Sequence, residues 1–325
     1  MSSTCPNGPR TECWQPLADK LAPLKQQVTG PQREELLSAY WELAGSAQFV
    51  GDFKESKMFY DNALEMVDGL APAANGESEG EFLHAMIRYD EAILALGMHD
   101  YAGALREFDD FSSLAKSRGW SASASTAFFR AAALIGLGRT AEADQLLEAL
   151  LQGLSFDGES PWEAPPFGPQ PFNPYGAGRR IAAHYMHEHR FDKALNLLHK
   201  LETERQATLA KMPKEPIRGG YWAQWTSQAD LLDDEAAVYV MMRKDDEAER
   251  SLTASLALRE AEQDQALRNT LQKLALLEKR KGDNARADSL TRRAAAIKTG
   301  PRFADPLQDT LGFASSTSAG GIDVP

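Results

Sequence analysis

The chain has 325 residues, a net charge of −12 and 43% hydrophobic residues. That length holds two or three ordinary domains or one repeat array, and the composition is that of a globular protein. No apolar run approaches the roughly 18 residues of a membrane span, so no membrane partner is expected. The acidic excess sits wholly in the first half: residues 1–160 carry 24 acids and 12 bases, residues 161–325 carry 23 of each. An acidic half repels phosphate backbones, which argues against nucleic acid. It suits solubility or a basic partner.

Residues 1–34 read as a partly loose segment. It lacks the basic–apolar–small order of a signal peptide, so a cytoplasmic location is expected. Its "CPNGPRTEC" holds Cys5 and Cys13 around strong Asn-Gly turn chemistry. In the cytosol these are two free thiols. If a leader has been removed and the protein is exported, a Cys5–Cys13 disulfide is expected. The stretch offers too few ligands for a metal.

Between residues 36 and 66, apolar and small residues recur at helical spacing, break at Gly51-Asp52-Phe53, and resume. Gly51 suits the left-handed end of one helix and Asp52 the cap of the next. The spacing predicts a helix-turn-helix unit. The same frame recurs five times. The second copy has Ala92, the turn His99-Asp100-Tyr101, Ala104 and Phe108; the third has Ala131, Gly138-Arg139-Thr140, Ala143 and Leu147. The fourth has Ala182, Tyr185, Phe191, Ala194 and Leu198; the fifth Ala236, Tyr239, Ala248 and Leu252; the sixth Ala275, Gly282-Asp283, Ala287 and Leu290. Small residues are needed where two helices cross closely, and large apolar ones fill the space between units.

With Ala44, Gly51-Asp52-Phe53, Ser56, Tyr60 and Ala63, the first unit resembles the tetratricopeptide repeat (TPR), and the resemblance extends over residues 35–298. It implies an all-α fold, a right-handed α-solenoid of about six TPR-like helix pairs. Turns at 51, 99, 138, 189, 243 and 282 are spaced more widely than the family's period of about 34 residues, so the array is irregular. Repeats 1–3 are expected over 35–155, a Pro- and aromatic-rich linker over 156–176, repeats 4–6 over 177–298, and a mobile tail over 299–325.

The resemblance also implies that a protein or peptide segment binds in a concave groove lined by the first helix of each pair. Three residues before the small crossing residue stand Trp41, Tyr89, Phe128 and, in the fourth repeat, Arg179. The three rings fall on a groove-facing register and are expected as a ligand ladder, with packing between repeats as the alternative. A chaperone-type carboxylate clamp is not expected, because its slots hold Trp41, Gly45, Tyr89 and Ile93. The linker's Trp162, Phe167, Phe172 and Tyr175 are costly to leave in water. They are read as a strap over the edge of the third repeat, an occupant of the groove, or a docking motif.

Catalytic signatures are sparse. "GLGRTA" (136–141) fits a dinucleotide fingerprint, but Gly138 occupies a repeat turn and no strand precedes it, so no cofactor is expected. His184 and His187 share a helix face and, with Glu188 or His189, could gather zinc or nickel; the plainer reading is a helix end, where imidazolium suits the C-terminus. The pairs Asp233-Asp234 and Asp245-Asp246 read as solvated faces and helix starts. The expected function is a non-enzymatic scaffold or adaptor. The alternatives are a ligand-sensing regulator and, less favoured, a metal enzyme at the His184–His189 cluster.

Overall fold

The computed structural model describes residues 19–21, 23–24, 31–67, 79–118, 124–156, 173–212, 227–262 and 266–297. Cys5, Cys13, Trp162, Phe167, Phe172 and the tail over 299–325 lie outside them. No strand occurs among the described residues. Helices α1 (Pro31–Val50) and α2 (Phe53–Val67) form the first pair, α3 (Glu79–Gly97) and α4 (Tyr101–Arg118) the second, α5 (Ala124–Gly136) and α6 (Thr140–Gly153) the third. The fourth is α7 (Pro174–His187) with α8 (Phe191–Lys211), the fifth α9 (Gln228–Met241) with α10 (Asp245–Glu262), the sixth α11 (Leu267–Lys281) with α12 (Asn284–Ala296).

One local device builds every pair. Among the described residues, those with positive φ are Gly51 (84°), His99 (61°), Gly138 (71°), His189 (56°), Arg243 (60°) and Gly282 (90°), which are the six turn positions the repeat register predicts. At each, the left-handed residue donates its N–H to the carbonyl three back, and the next residue donates to the carbonyl five behind it, as in Gly51 to Gln48 and Asp52 to Ala47. This is the Schellman ending, which satisfies carbonyls that a helix otherwise leaves open. The carbonyl of that second residue then accepts the first bond of the following helix, as Asp52 does from Ser56 and Lys244 does from Ala248. One helix is thus stopped and the next started within three residues.

The helices of a pair then cross at small side chains. Ala44, Ser56, Ala92, Ala104, Ala131, Ala143, Ala182, Ala194, Ala236, Ala248, Ala275 and Ala287 are all buried. Ser56 marks how close the first crossing is: its hydroxyl donates to the Ala44 carbonyl at 2.9 Å.

The chain divides into two compact bodies, the first holding the helix pairs up to Leu150 and the second those from Asn173. Tyr40, Trp41, Phe59, Tyr60, Met66, Ile87 and Leu94 are among the core residues of the first. Leu252, Leu271, Leu274, Leu277 and Leu290 are among those of the second. Each core is assembled from neighbouring pairs, so no pair buries its apolar face alone.

Tyr175 departs from the linker reading. It belongs to α7, which begins at Pro174 rather than near residue 177. The Asn173 side chain accepts from the Tyr175 and Gly176 N–H groups at 3.0 Å each, and Pro174 supplies a helix-ready φ at the first turn. The Tyr175 ring is fully buried, 5.1 Å from Phe156, with its hydroxyl donating to Thr208.

Candidate functional site

In the first body, Trp41, Tyr89 and Phe128 retain only 5%, 1% and 4% of their surface. The expected ladder of open rings is a set of packed ones. Trp41 donates its indole N–H to the Asp90 carboxylate at 2.7 Å, from α1 across to α3. Tyr89 donates to Ser125 at 2.9 Å, from α3 across to α5, and its ring lies 4.9 Å from Phe111 and 5.4 Å from Phe108. Phe128 packs edge-on to Phe129 at 5.6 Å. For Trp41 and Tyr89 the physical reason is the neighbouring first helix: a long side chain at this register reaches it before it meets water.

The second body follows the same rule with charges. Arg179 on α7 reaches Asp234 at 2.5 Å and Asp230 at 3.3 Å on α9. Asp233, at the equivalent register on α9, accepts from Thr270 at 2.9 Å and Lys273 at 3.3 Å on α11. Arg259 of α10, 1% exposed, closes the cluster against Asp230 at 2.6 Å and Asp233 at 3.3 Å. Three carboxylates thus face three cations. Asp233 and Asp234 are therefore core residues and not a solvated face. Asp245 and Asp246 do start a helix, α10, where they pair with Arg280 and Lys281 of α11.

The carboxylates titrate unevenly. Burial pushes Asp90 up to about 7, against the lowering effect of the Trp41 hydrogen bond. Burial also raises Asp234, with Arg179 pulling the other way. At Asp230 burial is outweighed by Arg179 and Arg259 together, and the group sits below the ordinary carboxylate range.

One residue past the crossing position, Ala132 and Ala183 are buried, but the other first helices leave a small or aliphatic side chain partly open. A Cβ built on Gly45 meets nothing within 4 Å. Ile93 and Ala237 are half-buried, and Leu276 is 45% exposed. These four stand one residue past the small crossing position of their helices. The histidines do not converge: His184 is buried beside Tyr185, whereas His187 and His189 are exposed. Among the described residues no group of three or more His, Cys, Asp or Glu could hold a metal ion. No described helix is long and apolar enough to cross a membrane.

No family profile and no curated protein sequence matches the chain. Solved structures do. The apo form of the quorum sensor NprR from B. thuringiensis superposes with a TM-score of 0.50 at 15% identity, over 87% of this chain and 70% of that one. The fold is TPR-like. NprR in complex with its cognate peptide NprX matches equally, with a TM-score of 0.50 at 14% identity over 93% of this chain and 76% of that one. A Podosopora anserina protein with nearly identical TPR-like repeats matches at 0.46 and 17% identity, over 65% of this chain and 92% of its own. The hydrogen bonds across neighbouring first helices make Asp90, Asp230, Asp234 and Lys273 partners of the position that holds Trp41, Arg179 and Asp233. Sequence reasoning missed them. The available signal was the repeat frame itself: Asp90, Asp234 and Lys273 stand two residues before the crossing Ala92, Ala236 and Ala275, and Asp230 stands about one turn before Asp234.

Proposed function

We propose that the protein is a non-enzymatic scaffold that binds a protein or peptide segment along the first-helix face of its repeats. The reading assigns no catalytic residue and no cofactor. The observation that carries it is the stapling of first helices to one another. Trp41–Asp90, Tyr89–Ser125, Arg179–Asp234 and Asp233–Lys273 hold neighbouring first helices in fixed register within each body. A face held in this way presents its open positions, such as Gly45 and Leu276, without further ordering, and pre-organisation lowers the entropic cost of binding. In this reading Trp41, Tyr89, Phe128 and Arg179 form the floor that supports the contacting residues. A peptide-sensing use is the second form of the same reading. It is supported by the fold shared with NprR, which was solved with its cognate peptide NprX.

The test is site-specific photo-crosslinking in cells. A benzophenone amino acid replaces Gly45 or Leu276 on first helices, or exposed Lys54 or Lys193 on second helices. Adducts confined to the first-helix positions are expected. Equal adducts from both sets, or adducts only from Lys54 and Lys193, refute the placement.

A further inference from the structure

The C-terminal first helix has an asymmetry that ion pairs with neighbouring helices explain only in part. Helix α11 carries five bases, Arg268, Lys273, Lys279, Arg280 and Lys281, against one acid, Glu278, in a chain of net charge −12. Its inward arc is consumed by the core: Thr270, Leu271, Leu274, Ala275, Leu277 and Glu278 are buried. The opposite arc, at helical spacing, reads Asn269, Gln272, Lys273, Leu276, Lys279. Leu276 stands at its centre with 45% of its surface open, one turn from a lysine on either side. Two of the remaining bases are committed elsewhere, Arg280 to Asp245 and Lys281 to Asp246 and Glu249. Lys273 touches Asp233 at 3.3 Å and keeps 30% exposure.

We propose that this arc of α11 docks a partner peptide carrying carboxylates on both sides of an aliphatic side chain. The inference rests on the scaffold reading and names its partner's chemistry. Leu276 provides an apolar contact, Lys273 and Lys279 meet the flanking carboxylates, and the amides of Asn269 and Gln272 offer donors and acceptors to an extended backbone. Charge complementarity singles out this occupant. A basic segment is repelled by α11, and a purely apolar one leaves the Lys279 ammonium to be desolvated without a counter-charge, since Asp233 supplies one only to Lys273. Such a site gains association rate from its charges and weakens with salt.

A displayed random dodecapeptide library, panned on the full-length protein, provides the test. Selected sequences are synthesised and titrated by fluorescence anisotropy against wild type, Leu276→Glu and Lys279→Glu. Both positions are exposed, and circular dichroism checks that helicity is retained. The expected result is enrichment of Asp or Glu around Leu, Ile or Val. Binding should weaken at least tenfold in Leu276→Glu and in Lys279→Glu, and fall with added salt. Binders that hold equally to both variants overturn the proposal while leaving the scaffold reading intact. Recovery of basic peptides overturns it as well. A library that yields no binder to wild type removes both.

Discussion

Replacing Asp90 by Asn should stabilise the first body at neutral pH and leave it almost unchanged near pH 4. The carboxylate accepts the Trp41 indole N–H at 2.7 Å, and burial lifts it to about 7. An unfolded aspartate titrates near 3.9. The folded group therefore holds its proton more tightly than the unfolded one. Its contribution to stability is fully present below about pH 4, declines as pH rises, and is gone above about pH 7. The slope cannot exceed about 1.4 kcal/mol per pH unit. Over three units that sets a ceiling of about 4 kcal/mol, and because Asp90 is only partly shielded we expect about 2–3 kcal/mol. Asparagine keeps an oxygen for Trp41 and loses the charge. Urea unfolding of both proteins from pH 4 to pH 8 measures the difference, in which all other titrating groups cancel. The gap should open between pH 4 and pH 7 and then stay level. A gap independent of pH, or a wild type more stable than the variant at pH 7.5, refutes the argument.

Three further outcomes are expected. Tyr89→Ala should cost about 3–5 kcal/mol by thermal or urea unfolding, whereas Tyr89→Phe, which gives up only the Ser125 bond, should cost about 1 kcal/mol. If Tyr89→Ala unfolds like wild type, the ring is not core. Arg179→Gln leaves Asp234 buried without its fork and should cost about 3–5 kcal/mol; a loss under 1 kcal/mol would mean that the cluster rearranges around Lys273 and Arg259. Arg243→Gly should raise stability by about 1 kcal/mol, because glycine adopts the 60° φ without the side-chain penalty, and Gly282→Ala should lower it by a similar amount. Opposite signs in calorimetry would show that the turns are not held in the left-handed conformation.

The turns were legible in the linear chain because their bonds are local. Gly51, Gly138 and Gly282 mark the slot by residue type, and the repeat frame locates His99, His189 and Arg243, whose side chains alone do not favour it. The small crossing residues were legible for the same reason, at fixed distance from each turn. Tyr175 was misplaced although a local signal was present: Asn173 followed by Pro174 is a helix start, outweighed in the reading by the prolines before it. The exposure of Trp41, Tyr89 and Phe128 was a different matter. Their register was readable, but whether a ring at that register meets water depends on a helix 36 to 49 residues away, where Ser125 and Asp90 stand. Asp233 and Asp234 show the same limit with charge. Adjacent acids on a helix look solvated until Arg179, Arg259, Thr270 and Lys273 converge on them from separate elements. Hydrogen bonds within a turn are settled by the residues that form it, so sequence alone determined the helix pairs and their period. Burial and charge pairing are set by which helices lie against one another, and only the tertiary structure decided them.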